Sequence, residues 1–230
     1  MIVAIHQPNY IPWLGYIAKI ARADVFVFLD DVQFSKNSYT NRVQILGPNG
    51  ARWLTIPVSV HLGQIIGQTE IAQHDWAARH LDTLRGLYRR ASAFRTVWPI
   101  IERLYEDIPD GSLATVNRIL VERMASLLGL QCQFIVSSEI ATCGTNSDER
   151  LARIVREVAP GGIYLSGQGA ATYQHSETFS AAGVSLEYMK FPHPRYDQGH
   201  EEFVNGLSTL DALFHCGVDA VKGFLREART

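Results

Sequence analysis

Short apolar runs alternate with an amphipathic segment at the start of the chain. Residues 2–5 and 25–29 are apolar and rich in β-branched or aromatic side chains, a pattern typical of strands buried on both faces. Between them, residues 13–22 carry apolar side chains at helical spacing, at positions 14, 17, 18 and 21. A strand, a helix and a strand in this order predict a right-handed βαβ unit whose two strands are parallel.

The middle of the chain shows a different pattern. Residues 30–40 are polar and predict a loop, and the extended segments 42–46 and 52–60 flank the turn signal Gly47-Pro-Asn-Gly50, which predicts a hairpin. From residue 74 to residue 130 the spacing of apolar residues becomes helical. Helices are predicted over 76–90, 98–105 and 113–128, and we interpret this block, 74–130, as an insertion or a cap.

Strands and helices alternate again in the last part of the chain. The predicted strands are 133–136, 163–165 and 184–191, and the predicted helices are 147–158, 170–181 and one or two within 210–226. Alternation at both ends predicts an α/β fold with a mostly parallel sheet, of the nucleotidyltransferase or Rossmann-like kind, with a helical insertion. We expect residues 1–230 to form a single domain.

Composition and charge exclude several classes of protein. Of the 230 residues 47% are hydrophobic and 19% are charged, values that exclude disorder, and the net charge of −2 gives no reason to expect binding to nucleic acid. No apolar run approaches the roughly 20 residues of a membrane span, and the first residues carry no basic leader. Three cysteines, at positions 132, 143 and 216, are too few for a disulfide framework. These features predict a cytoplasmic protein with reduced thiols.

Polar segments follow three of the predicted strands, at residues 6–16, 30–42 and 166–169. Ligands of parallel sheets bind beyond the carboxyl ends of the strands, so we expect the three segments to surround one site. The first segment offers His6 as an acid or base, because imidazole titrates near neutrality, and Gln7, Tyr10 and Trp13 as pocket residues. A hydrogen-bonded structural histidine is the alternative for His6.

The other polar segments supply further candidate site residues. Adjacent carboxylates at Asp30 and Asp31 can activate a nucleophile or hold a metal, although no metal site is assigned, and Lys36 and Arg42 can pair with phosphate or carboxylate. A solvated charged loop is the alternative. The turn after the strand at 163–165 can present backbone N–H groups to an anion. The remaining candidates are Gln33, Asn41, Ser166, Gly167, Tyr196, Gln198 and His193, the last as a second acid or base.

In chain order, these segments resemble the WbqC-like protein family. The resemblance rests on Ile5-His-Gln-Pro-Asn-Tyr-Ile-Pro-Trp-Leu-Gly-Tyr, Asp30-Asp-Val-Gln-Phe-Ser-Lys-Asn-Ser-Tyr-Thr-Asn-Arg, Trp53-Leu-Thr-Ile-Pro-Val, Tyr164-Leu-Ser-Gly, His193-Pro-Arg-Tyr-Asp-Gln and Leu207-Ser-Thr-Leu-Asp-Ala-Leu-Phe. It implies a place in bacterial surface-polysaccharide (O-antigen) gene clusters and a role in transferring glycine or another aminoacyl group. It supplies no established catalytic residues.

The first functional hypothesis is therefore a transferase that moves an acyl or aminoacyl group, glycyl among them, from a small-molecule donor to an activated or amino sugar. His6 or His193 would deprotonate the acceptor, and Asp31 would orient that base or the acceptor. Lys36 and Arg42 would bind phosphate or carboxylate, with the Ser166–Gly167 turn beside the developing charge. No cofactor is assigned, and a homodimer or a carrier-protein partner remains open.

Two other hypotheses remain. In cytidylyltransferase-like folds an H-x-G-H motif lies at the start of a helix. The corresponding segment here, Trp13-Leu-Gly-Tyr, has the glycine of this motif but neither of its histidines. A nucleotidyltransferase-like enzyme would bind ATP or CTP with magnesium through Asp30 and Asp31. A non-catalytic binding protein of the same pathway would bind its ligand without forming a product.

Overall fold

The computed structural model of the protein describes residues 1–140 and 147–227. Its strands are β1 (Ile2–His6), β2 (Val25–Phe28), β3 (Arg42–Gly47), β4 (Gly50–Thr55), β5 (Val58–Ser59), β6 (Glu70–Ile71), β7 (Gln133–Val136), β8 (Ile163–Gly167) and β9 (Ser185–Met189). Its α-helices are α1 (Leu14–Arg22), α2 (Trp76–Tyr88), α3 (Phe94–Tyr105), α4 (Leu113–Leu127), α5 (Ser147–Val158), α6 (Ser176–Ala181), α7 (Thr209–Cys216) and α8 (Val218–Glu227).

Five strands form a parallel sheet in the order β7-β2-β1-β8-β9. From the central strand β1 the chain adds β2 and β7 on one side, then crosses over and adds β8 and β9 on the other. The direction of winding therefore reverses between β1 and β8. This topology confirms the predicted α/β fold with a mostly parallel sheet, and it places a crevice at the carboxyl ends of β1 and β8.

The two faces of the sheet have separate apolar cores because side chains alternate along each strand. Ala4 and Phe26 point into the core that contains helix α1, whereas Val3 and Val27 point into the core that contains helix α5. Such strands are buried on both faces, which explains their continuous apolar sequence. His6 lies two residues after Ala4 and so falls on the α1 face.

The segment between β2 and β7 contains the hairpin β3–β4 and the helices α2 to α4. The predicted second hairpin strand, 52–60, is split: β4 ends at Thr55, and β5 pairs with β6 instead. Pro57 lies between them and has no N–H to continue the first ladder. The third predicted helix begins at Leu113, as expected.

Two predicted helices have different bounds in the structure. The helix expected at 98–105 is α3, which begins at Phe94 and continues through Pro99, because Val97 and Ile101 bury one face of it. The helix expected at 170–181 is a 3₁₀ segment, Gln168–Thr172, followed by the short helix α6. Both differences concern boundaries, since a helix is present in each region.

Two further observations concern the described residues 1–140 and 147–227. None of the helices there has the length and apolar content that a membrane crossing requires. Cys132 and Cys216 are free thiols, whereas Cys143 lies outside the described residues.

Candidate functional site

A cleft opens where the carboxyl ends of β1 and β8 meet the first turns of α1, and we call it the switch-point cleft. Its volume is about 240 Å³, and its lining residues are His6, Trp13, Gly15, Tyr16, Lys19, Gly167, Gln168, Gly169, Met189 and Phe191. The predicted first and third polar segments thus meet here, as the topology of a parallel sheet requires. Gln168 and the two glycines come from the turn that follows β8.

His6 ends β1 and is held in one orientation. Its ring packs edge-on against Tyr16, with 4.7 Å between ring centroids, and its Nδ1 lies 3.1 Å from the carbonyl oxygen of Gln7. A carbonyl only accepts hydrogen bonds, so Nδ1 carries the proton of the neutral ring and Nε2 keeps a lone pair. Burial, and then the positive charge of Lys19, lower the pKa of His6 to about 3. His6 is therefore neutral at pH 7.

Lys19 extends from the second turn of α1 into the same cleft. The residue is only 7% exposed, and burial lowers the pKa of its ammonium to about 8. A Cβ placed on Gly167 would lie 3.7 Å from Lys19 Nζ, so this ammonium sits against the turn after β8. Lys19 is not among the residues predicted from the sequence. A signal was available, because Lys19 follows Gly15 by one helical turn and so shares its face of α1.

An aromatic group forms the rim of the switch-point cleft. The indole of Trp13, which is 36% exposed, occupies the space that a Cβ on Gly15 would need. The ring of His193 lies parallel to it, with a 5° angle between planes and 6.2 Å between centroids, and Phe191 packs against it edge-on. His193 therefore lies beside the cleft, stacked on Trp13.

The second predicted acid or base, His193, also has a defined tautomer. Its Nδ1 lies 3.0 Å from the carbonyl oxygen of Pro194, so the neutral ring carries its proton there. Its Nε2 is buried and has no hydrogen-bond partner among the residues that the structure describes. Burial is the main reason that the pKa of His193 is lowered.

The paired carboxylates lie elsewhere, at the carboxyl ends of β2 and β7. Asp30 accepts hydrogen bonds from the backbone N–H of Ser138 at 3.0 Å and from its hydroxyl at 2.8 Å. Asp31 forms an ion pair with Arg150. Asp30 lines a separate cavity of about 230 Å³ together with Arg118, in the second turn of α4. The expectation of one site shared by all three segments is thus met only for the first and third.

The rest of the 30–42 segment does not line the switch-point cleft either. Gln33 and Lys36 are exposed on the surface loop. Arg42 donates hydrogen bonds to Asn37 and stacks on Trp53, with 4.0 Å from its guanidinium carbon to the ring centroid. Asn41 donates to the carbonyl oxygen of Ile56 at 3.0 Å.

Three other predicted residues have partners inside the protein. Tyr10 is fully buried, and its hydroxyl lies 2.7 Å from His80 Nδ1. Ser166 is 2% exposed and hydrogen-bonds with Tyr164, on the opposite face of the sheet from Gly167. The side-chain oxygen of Gln7 accepts a long hydrogen bond, 3.5 Å, from Thr40, and its carbonyl accepts from Tyr16.

Tyr196 and Gln198 belong to a buried cluster around Asp211. This carboxylate is fully buried and accepts hydrogen bonds from Tyr88 and Tyr196 at 2.9 Å and from Gln198 at 3.0 Å. Burial raises the pKa of Asp211. His215 Nε2 lies 3.9 Å from it, and neither residue was predicted, although their spacing of four within a helix was a visible signal.

His215 also lines a third cavity, which is larger than the other two. It has a volume of about 670 Å³ and lies between the β3–β4 turn, the end of α2 and the 197–200 loop. Arg89, Arg90 and His200 contribute to its wall. The two arginines are exposed.

Comparison with known proteins supplies a family and a relative. The family model described as "WbqC-like protein family" matches residues 7–223, a range that begins one residue after His6 and includes Lys19 and Gly167. The "Uncharacterized protein Rv1507c" of Mycobacterium tuberculosis (strain ATCC 25618 / H37Rv) is similar over almost the full length of both chains. It is 32% identical over 230 residues, which cover 99% of this chain and 98% of that protein.

Proposed function

This chain belongs to the WbqC-like protein family, and we propose that it is a transferase that attaches an acyl or aminoacyl group, glycyl among them, to an amino or hydroxyl group of an activated or amino sugar. The proposed setting is bacterial surface-polysaccharide (O-antigen) biosynthesis, as the family resemblance implies. The proposed partners are a small-molecule donor and the sugar acceptor, with a second copy or a carrier protein as a further partner. The observation that supports this proposal is the switch-point cleft, which joins a neutral imidazole to a glycine-rich turn.

The proposed chemistry uses the lone pair of a neutral histidine. His6 Nε2 takes the proton of the acceptor N–H or O–H group while the acceptor atom bonds to the carbonyl carbon of the donor. The tetrahedral intermediate then expels the donor's leaving group, which takes the proton back from the imidazolium. Gly167 and Gly169 have no side chains, so the reacting carbonyl can approach the main chain closely. His193 Nε2 remains the alternative base.

A transfer assay with matched histidine variants tests this proposal. Acyl and aminoacyl donors, paired with nucleotide-linked amino sugars, are incubated with the purified protein, and products are detected by mass spectrometry. We expect His6→Asn to lower turnover by roughly 10²–10⁴-fold, the usual contribution of a general base. The exposed His61 provides the control, since His61→Asn removes an imidazole outside the cleft.

The pattern of results identifies the base or rejects the mechanism. A loss in His193→Asn with full activity in His6→Asn would assign the base to His193. Full activity in both variants would contradict histidine catalysis, and the absence of product from every pair would contradict the transferase proposal.

The strand order favours a second candidate, a nucleotidyltransferase-like enzyme that uses ATP or CTP. Its support is the β1–α1–β2 unit at the switch point, with Gly15 in the first turn of α1. Fold similarity alone does not establish a reaction. Calorimetry with ATP and CTP, with and without magnesium, tests this candidate, and no binding under either condition would contradict it.

The lowered basicity of both histidines favours a third candidate, a non-catalytic binding protein of the same pathway. It predicts saturable binding of a pathway ligand with no product, and unchanged binding in both histidine variants. Any turnover in the transfer assay would contradict it.

A further inference from the structure

Lys19 is only 7% exposed, and among the described residues 1–140 and 147–227 its ammonium has no hydrogen bond or ion pair, so what exposure it keeps is to the switch-point cleft. By contrast, Arg22 on the same helix has an acidic partner, since its guanidinium lies 3.8 Å from the carboxylate of Glu187. Burying an unpaired charge costs free energy, because water is removed and no partner replaces it. Lys19 is therefore destabilising in the free protein unless a ligand completes its surroundings.

The residues around Lys19 show what kind of ligand that would be. Within the described part of the chain, the residues that line the switch-point cleft include neither aspartate nor glutamate. His6 is neutral, and the hydroxyl of Tyr16 already donates to the carbonyl oxygen of Gln7 at 3.0 Å. The first turn of α1 also reaches the cleft at Gly15, and the N-terminus of a helix carries partial positive charge. The cleft thus offers positive charge and hydrogen-bond donors without a carboxylate to balance them.

We propose that the switch-point cleft binds a phosphate or diphosphate group of the activated substrate, with Lys19 Nζ as its charge partner. This inference rests on the proposed function and deepens it, since it assigns the substrate class as a phosphorylated or nucleotide-linked sugar. The volume of about 240 Å³ fits the anionic group but not a complete nucleotide-linked sugar.

An anion at this position also changes the chemistry of His6. The charge of Lys19 is one of the two causes that lower the pKa of this imidazole. A bound phosphate offsets that charge and thereby raises the pKa of His6, which makes it a stronger base. The binding of substrate and the activation of the base are then coupled.

Calorimetry with inorganic pyrophosphate and with UDP tests the inference. The wild-type protein, Lys19→Met and Lys222→Met are compared, because methionine keeps most of the side-chain length and removes the charge, and Lys222 lies on α8 outside the cleft. We expect Lys19→Met to weaken both ligands by about 10- to 100-fold, as for loss of a hydrogen bond to a charged group. We expect Lys222→Met to bind both ligands like the wild type.

The melting temperature of the same proteins without ligand separates a binding role from a structural role. Removal of a buried, unpaired charge stabilises the free protein, so Lys19→Met should melt about 3 °C or more above the wild type. A structural lysine would give a lower melting temperature and unchanged ligand affinity, and that result would overturn the inference.

A measurement on the wild type needs no variant and keeps the inference testable if Lys19→Met does not fold. Pyrophosphate affinity should fall as the pH rises above about 8, where Lys19 loses its proton. Affinity that is constant or increasing from pH 7 to pH 10 would contradict the inference, as would the absence of binding by both pyrophosphate and UDP.

The two proposals can fail separately. Product in the transfer assay without anion binding would reject only the anion site, and Lys19-dependent binding without product would reject only the transferase proposal.

Discussion

His6 and Lys19 have ionisation states that depend on each other. Both lie in one small cleft, and burial disfavours a charge on either of them. The cleft holds one positive charge at pH 7, and it is on Lys19, because the reference pKa of lysine is four units higher than that of histidine. His6 therefore stays neutral far below its usual titration range.

Two histidines with lowered pKa values predict how stability depends on pH. The pKa of His6 is lowered to about 3 and that of His80 to about 4, both mainly by burial. Between pH 6.5 and these values the unfolded chain binds protons that the folded protein does not. The free energy of unfolding therefore falls as the pH falls below about 6.5.

Urea unfolding at pH 7 and pH 5 measures this effect. For His6 alone the loss at pH 5 is about 1–2 kcal/mol, and His6→Asn should remove that share. The exposed His61 is the control, since His61→Asn should keep the wild-type difference between the two pH values. If the free energy of unfolding falls equally from pH 7 to pH 5 in His6→Asn and in the wild type, His6 is accessible to protons in the folded protein.

Single residues at the site could be predicted from sequence only in part. His6, Trp13 and Gly167 line the switch-point cleft, and their positions at the end of a buried strand and the start of a helix can be recognised from patterning, whereas their roles stay predictions. Tyr10 and Gln198 were expected to contact substrate, but their partners are His80 and Asp211. A sequence shows that a polar residue is present and does not show which distant side chain will satisfy it.

At the scale of the element, α1 carries most of the switch-point cleft. It presents Gly15 and Lys19 on one face while Ile17 and Ile20 enter the core on the other. The glycine is required by packing and not by backbone conformation, because the indole of Trp13 fills the place of its missing Cβ.

Replacement of this glycine should therefore move the tryptophan. In Gly15→Ala the new methyl group displaces the half-exposed indole, which ends its stacking with His193. Tryptophan fluorescence should change and UDP affinity should fall. The free energy of unfolding should change little, because the higher helix propensity of alanine, worth up to about 1 kcal/mol, offsets the cost of displacing the indole. Unchanged fluorescence and affinity would show that Trp13 does not close over Gly15.

Helix α2 offers a matched control for this substitution. Gly86 also lies within a helix, but among the described residues no atom outside its chain neighbours and its own helix backbone lies within 4 Å of its Cβ position. Gly86→Ala should stabilise the protein by about 0.5–1 kcal/mol without a change in fluorescence or UDP binding.

At the scale of the whole molecule, the contacts of Asp30 join the two ends of the segment inserted between β2 and β7. Asp30 follows β2, and its partners Ser137 and Ser138 follow β7, 107 and 108 residues later. Long-range pairings of this kind cannot be predicted from local patterning, although the strands that they join can. Because local patterning does not show the contacts of Asp30 with Ser137 and Ser138, the adjacent carboxylates Asp30 and Asp31 were expected at the site.

Asp30→Ala tests whether this carboxylate is mainly a structural link. The variant leaves the N–H of Ser138 without its acceptor, so we expect a loss of about 1–3 kcal/mol in the free energy of unfolding, measured in urea. Pyrophosphate affinity should not change, since Asp30 lies in a separate cavity. Asp82→Ala, at an exposed position of α2, should stay within about 0.5 kcal/mol of the wild type. Wild-type stability with loss of transfer activity would instead support a role of Asp30 in the reaction.

The position of β1 at the centre of the sheet has a consequence for biosynthesis. One neighbour, β2, is translated soon afterwards, but the other, β8, pairs Ile2 with Ile163. During translation one edge of the nascent βαβ unit therefore stays unpaired until most of the polypeptide has left the ribosome. Unpaired apolar strands promote aggregation, and parallel pairing over long separations is slow. The nascent chain is thus expected to expose an aggregation-prone strand edge until β8 has been translated.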